Sequence, residues 1–185
     1  MIMQTQLGAR VRTVQNDVAI RRLEPGEEGL YRAMRLQALQ RNPRLFGSTY
    51  AETVAIPRLP FEDFIAASHE DNPMFGAFTR GELGGICGLR REARERTQHR
   101  AELVHMYVAP WLQGQGVGAQ LVATALRYGI DRIGLRQIVL GVVSENEPAV
   151  RLYRRAGFRE YGRLERSFCA DAGCSEELFM VYERI

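Results

Sequence analysis

The stretch Val108-Ala109-Pro110-Trp111-Leu112-Gln113-Gly114-Gln115-Gly116-Val117-Gly118-Ala119 decides how this 185-residue chain is read. It sets three alternating glycines between an apolar run that ends at Val108 and a helix-periodic run that follows. Glycines carry no Cβ, so the backbone N–H groups of such a turn stay open to approach, and the start of the following helix adds partial positive charge. The result is an anion cradle suited to a pyrophosphate; the alternative is a tight strand-to-helix turn without a ligand. Gly114-x-Gly116-x-x-Ala119 also fits a relaxed dinucleotide fingerprint, which requires an acid about twenty positions on. The strand there reads Gln137-Ile138-Val139-Leu140-Gly141, and no acid follows until Glu145, which weakens that reading.

Working outward, the elements alternate around this turn. Upstream, Val18 to Leu23 reads as a strand, Glu27 to Gln40 as a helix, and Phe61 to Ser68 as a short helix. Arg41 to Pro60 shows no clear period. Met74 to Thr79 and Leu83 to Arg91 form a hairpin about Arg80-Gly81-Glu82, and Ala101 to Val108 is the strand that enters the glycine turn. Downstream, a helix runs from Gly116 to Arg132, with Leu121, Val122, Ala125, Gly129, Ile130 and Ile133 on one side. Gln137 to Val143 reads as a strand buried on both faces, and Pro148 to Ala156 as a helix closed by Gly157. Phe158 to Phe168 and Glu177 to Glu183 make a last hairpin about Asp171-Ala172-Gly173. The fold class is α/β (α+β): a mixed central sheet flanked by helices, with a strand-helix-strand crossover in the middle.

Composition narrows the function. All 25 basic residues are arginine, so neither a Walker A loop nor a pyridoxal Schiff base can be built. With 45% hydrophobic and 25% charged residues the chain is an ordinary globular protein, and its net charge of +3 reads as a solvated face rather than a nucleic-acid patch. Residues 1–17 have no apolar run and read as a flexible leader, neither signal peptide nor membrane span. Cys87, Cys169 and Cys174 follow no CxxC spacing; their odd number argues against a disulfide framework, and Cys169 and Cys174 read as reduced hairpin residues in a cytoplasmic protein. No GxSxG or HExxH motif occurs, and His69, His99 and His105 lack zinc-type spacing, so no metal is expected.

Gln113-Gly114-Gln115-Gly116-Val117-Gly118 resembles the acetyl-CoA loop of the GCN5-related N-acetyltransferase (GNAT) superfamily: Gln or Arg, two residues, Gly, one residue, then Gly or Ala. Asn146-Glu147-Pro148-Ala149-Val150-Arg151-Leu152-Tyr153-Arg154-Arg155-Ala156-Gly157-Phe158 is similar to that family's second signature. Gln113 stands where Arg is commoner, which removes one charge from the phosphate site.

The resemblance implies a single N-acetyltransferase domain over residues 18–185, its sheet splayed between the strand 101–108 and the strand 137–143. It implies that acetyl-CoA is the cosubstrate. Met106, Tyr107 and Val108 would pair with the pantetheine arm through backbone groups, Gln113, Gly114, Gln115, Gly116, Val117, Gly118 and Ala119 would bind the pyrophosphate, and Asn146 and Ala149 would meet the cofactor arm. Tyr153 would touch the cofactor and protonate the departing thiolate; a buried tyrosine bonded to backbone is the alternative. Glu102, eleven positions before Gln113, resembles the general-base glutamate of the histone-acetylating branch, and an apolar strand would raise its pKa. The alternative is a surface Glu paired with an Arg, with His105 a weaker candidate base.

The expected reaction is direct attack of a primary amine, small-molecule or peptide, on acetyl-CoA in a ternary complex. Acceptor choice is expected in Arg41 to Pro60, where Phe46, Ser48 and Tyr50 offer aromatic and polar groups, and in the Ser167 to Ser175 hairpin. Neither nucleic acid nor membrane is an expected partner, and a homodimer is left open. A CoA-binding regulatory domain without turnover and a nucleotide-binding enzyme are the rival readings.

Overall fold

The computed structural model describes residues 17–170 and 173–184; the leader expected at 1–17 falls almost wholly outside them, as does most of the Asp171-Ala172-Gly173 turn. Seven strands, β1 (Val18–Arg22), β2 (Met74–Thr79), β3 (Glu82–Arg91), β4 (Arg100–Val108), β5 (Gln137–Val143), β6 (Arg159–Ala170) and β7 (Gly173–Glu183), form one sheet in the order β1-β2-β3-β4-β5-β7-β6. Every neighbouring pair is antiparallel except β4 and β5. That parallel pair needs a crossover, which α4 (Val117–Tyr128) supplies, ending in a π turn over Gly129–Ile133. The helices α1 (Glu28–Arg41), α2 (Tyr50–Ala55), α3 (Pro60–Ala66) and α5 (Glu147–Arg155) complete the molecule.

The two faces of the sheet bury different cores. On one, Leu121, Val122 and Ala125 of α4 and Val150 and Tyr153 of α5 meet Leu103, Ile138, Leu140 and Met180. On the other, Tyr31 and Met34 of α1 and Phe61 and Ile65 of α3 meet Met74, Ile86 and Tyr107. Helix α1 buries Tyr31, Met34, Arg35, Ala38 and Leu39 and leaves Leu30 exposed. That spacing of i, i+3, i+4, i+7, i+8 is a regular helical stripe, and it draws Arg35 inside.

β4 and β5 pair only over Arg100–Glu102 and Gln137–Val139. Beyond that the strands part, so the sheet is splayed where expected and the edge of β4 facing β5 is unpaired over residues 103–108. The parting also corrects the expectation for β5. It is not buried on both faces, because Gly141 opens onto the gap and is exposed. β4 is further bent by a bulge: Ile86 faces Tyr107 and Gly88 faces Val104, so Cys87 opposes both His105 and Met106, and His105 takes φ +54°.

Two further differences concern local signals. Arg41 to Pro60 contains α2, whose start is a capping box: Thr49 Oγ1 accepts from the Glu52 N–H and Glu52 accepts from the Thr49 N–H. Cys169 and Cys174, expected reduced, form a disulfide. They stand directly opposite each other in the β6/β7 register, so the pairing is local to one hairpin, and the odd cysteine count could not reveal it. The cysteine argument for a reducing compartment falls with it.

Candidate active site

The gap between β4 and β5 opens into a cleft of about 790 Å³ that reaches both faces of the sheet. Strand alternation sorts its walls. Met106, Val108, Leu152 and Tyr153 belong to the α4/α5 side, whereas Glu102, Val104 and Tyr107 point to the α1 side.

The glycine turn is shaped as its sequence demands. Gly114 and Gly116 have φ +74° and +76°, and a Cβ at either would meet nothing within 4 Å, so the backbone faces open space. Gly116 is the N-cap of α4 and brings no capping side chain, which leaves the first N–H groups of α4 without partners inside the helix. Gly118 is needed for close approach: a Cβ there would lie 3.2 Å from Met106 Cε and 3.4 Å from Leu152 Cδ2. Gln113 does not face the cradle as a charge substitute; its Nε2 donates to the Val108 carbonyl at 2.8 Å and ties the turn to the end of β4. The N-terminus of α5 opens onto the same cleft, capped by Asn146, whose Oδ1 accepts from the Ala149 N–H at 3.4 Å.

Of the expected cofactor residues, Met106, Tyr107, Val108, Gln113, Gly114, Gly116, Val117, Gly118, Asn146, Ala149 and Tyr153 line the cleft; Gln115 and Ala119 lie outside its lining. A pyrophosphate-bearing cosubstrate fits this arrangement, because open glycine backbone, two helix N-termini and an unpaired strand edge converge on one space.

Tyr153 is buried, with its ring edge-on to Phe158 at 5.7 Å. No protein group among the described residues hydrogen-bonds its hydroxyl. Burial raises its pKa, with Cys87 adding to the shift, so the phenol stays protonated at neutral pH. Glu102 also lines the cleft, but not in an apolar setting: it is partly exposed and ion-paired with Arg90. His105 stacks on Tyr31, and its Nδ1 shares a hydrogen bond of 3.1 Å with the Tyr31 hydroxyl. Burial and the charges of Arg35 and Arg90 push its pKa down to about 3, so it is neutral.

The sequence reading missed Glu177. It lines the cleft from β7, accepts from Ser167 Oγ at 2.7 Å, and lays its Oε1 over Gly141 where a Cβ would sit. Strand alternation could have found it, since Leu178 and Met180 are core residues and Glu177 must face the other way. On the acceptor side, Phe46 and Gly47 line the cleft and Phe168 of β6 closes against Gly47; Ser48 and Tyr50 lie outside. Among the described residues, no three His, Cys, Asp or Glu side chains gather to hold a metal ion, and no helix is long and apolar enough to cross a membrane.

The splayed seven-stranded sheet is shared with proteins of one family. Residues 36–158 match the model of the Acetyltransferase (GNAT) family, and the chain belongs to that family. Among curated relatives, a mycothiol acetyltransferase of Brachybacterium faecium is 32% identical over 123 residues, covering 66% of this chain and 37% of that protein. A spermidine N(1)-acetyltransferase of Vibrio cholerae is 39% identical over 70 residues, covering 38% and 40%. The match thus spans about two fifths of each relative's length. A GNAT-family acetyltransferase from Streptococcus pneumoniae superposes with a TM-score of 0.77 at 23% identity, over 91% of this chain and 100% of the other. An acetyltransferase from Salmonella typhimurium, solved with its cofactor acetyl-CoA, superposes with a TM-score of 0.75 at 17% identity, over 90% and 94%.

Proposed function

We propose that the protein transfers acetyl from acetyl-CoA to a primary amine in a ternary complex. The observation that carries this is the convergence, on one cleft, of the unpaired edge of β4, the open glycine cradle and the unbonded Tyr153 hydroxyl. Acetyl-CoA supplies an activated acyl group as a thioester.

The chain's own groups do the rest. Backbone N–H groups of residues 114–118 and the start of α4 hold the pyrophosphate, and residues 103–108 of β4 offer a strand edge to the pantetheine amides. Tyr153 holds a proton at Oη, on the α4/α5 side, for the departing sulfur. The α1 side receives the amine. A lysine-type amine of pKa about 10.4 must lose a proton at a cost of roughly 4.6 kcal/mol at pH 7, so a base is needed. We assign that role to a carboxylate of the α1 side. Glu102 is the family-type candidate but is engaged by Arg90, whereas Glu177 has no cationic partner among the described residues. Direct attack is supported by the cysteines: two are joined to each other, and burial pushes the Cys87 thiol up to about 12. Acetyl-CoA also supports a cytoplasmic setting, where an exposed hairpin disulfide is open to reduction.

The test is thiol release from acetyl-CoA with and without an amine panel, combined with Glu102→Gln and Glu177→Gln. Loss of turnover that recovers as pH rises identifies the base. An unaltered pH profile in both variants rejects a carboxylate base.

A further inference from the structure

The α1 side of the cleft contains a charge without a counterpart. Arg35 is 6% exposed, lines the cleft, and makes no hydrogen bond or ion pair among the described residues; its Nη1 is withdrawn from solvent with no partner. The Phe46 ring packs over it, with its centroid 5.0 Å from the guanidinium carbon. One turn earlier, Arg32 is satisfied by Glu62 at 2.8 Å and the Ile56 carbonyl at 2.6 Å. The contrast is chemical: a guanidinium cannot shed its proton, so a buried one calls for an acceptor.

The remaining charges do not answer it. Glu102 is ion-paired with Arg90 and Glu62 with Arg32, while Glu177 accepts from the Ser167 hydroxyl and pairs with no cation among the described residues. His105, beside Arg35, is neutral. The Tyr107 hydroxyl, which belongs to this same side, is likewise buried without a partner. Among the described residues the cleft therefore offers an unmatched cation, Arg35, and an unmatched anion, Glu177, to whatever enters.

We infer that Arg35 is an oxyanion site for the acceptor, so that the amine acetylated here carries a carboxylate or a phosphorus oxyanion on the same molecule. The planar fork of Arg35 pairs with two oxygens of that group, the Phe46 ring covers the guanidinium, and the amine lies toward Glu177. A polyamine would leave Arg35 unmatched and add charge beside it. This inference deepens the acetyl-transfer reading and rests on it for the identity of the ligand as acceptor.

The experiment compares matched amines: α-amino acids against their carboxamides, aminoalkylphosphonates against the corresponding alcohols, and spermidine as an amine without an oxyanion. The expected kcat/KM favours the oxyanion-bearing member by roughly tenfold or more, and Arg35→Gln erases the preference through KM while Arg35→Lys retains part of it. Whether carboxylates or phosphonates lead identifies the source of the oxyanion. Equal turnover of carboxamides or spermidine, or an equal loss on both members of each pair in Arg35→Gln, overturns the inference. A second arm needs no turnover: N-acetyl amino acids should raise the melting temperature of the CoA-loaded wild type but not of CoA-loaded Arg35→Gln, and their carboxamides should raise neither. Equal shifts also overturn it. Absence of thiol release with every amine rejects the acetyl-transfer reading alone, because the melting arm still decides whether Arg35 binds an oxyanion.

Discussion

Gly116→Glu separates cofactor binding from folding. Gly116 sits at φ +76° with nothing within 4 Å of a Cβ, so the Cβ meets no atoms and the folding cost expected is that of left-handed backbone, roughly 1 to 2 kcal/mol. What it does change is the cradle, by placing a carboxylate where the pyrophosphate must sit. At 100 times its dissociation constant, acetyl-CoA stabilises the wild type by about 2.7 kcal/mol, or roughly 5 to 10 °C for a chain of this size. If the carboxylate weakens binding a hundredfold, the same ligand concentration leaves only about 0.4 kcal/mol, near 1 °C. Differential scanning fluorimetry with and without acetyl-CoA reads this directly. Gly116→Ala shares the backbone strain without the charge and should keep most of the shift. A folded Gly116→Glu protein that retains the full wild-type shift would refute the location of the phosphate site.

The remaining expectations are independent of that one. Tyr153→Phe keeps the ring in the core and should lower turnover by ~10² with acetyl-CoA affinity near wild type; near-normal turnover would return Tyr153 to a packing role. Phe46→Ala should raise the acceptor KM, whereas Tyr50→Ala, which lies outside the cleft lining, should not; the reverse result would move the acceptor site to α2. His105 has a folded-state pKa near 3 against about 6.5 unfolded, so the unfolded chain binds the extra proton and stability should fall as pH drops below about 6.5 toward 3. Urea midpoints at pH 7 and pH 5 should differ less in His105→Asn than in wild type, and an equal difference would locate the acid sensitivity elsewhere.

The shape of the glycine turn was legible in sequence and the far wall of the cleft largely was not, for a physical reason. Gly114 and Gly116 take left-handed backbone and Asn146 caps α5, features of local geometry that adjacent residues determine. Strand β5 could be bounded from Gln137 to Val143, but its exposure at Gly141 depends on where β4 leaves it, a long-range register. Arg35 was hidden because a charged residue within an apolar helical stripe reads as a solvated position until its neighbours are known. Glu177 and Phe168 reach the cleft only after β7 has paired with β5 and the hairpin has folded back over Gly47. Helix α2 was missed although Thr49-x-x-Glu52 is a local capping-box signal, because the segment otherwise lacks period.

The central claim is that this cleft acetylates an amine, and one measurement addresses it most directly: CoA thiol release from acetyl-CoA in the presence of an amine panel, with mass spectrometry of each mixture. Release that requires an amine, matched mole for mole by a product heavier by one acetyl group, is the result expected. Tight acetyl-CoA binding with no amine-dependent release across the panel would contradict it and identify a CoA-binding regulatory domain.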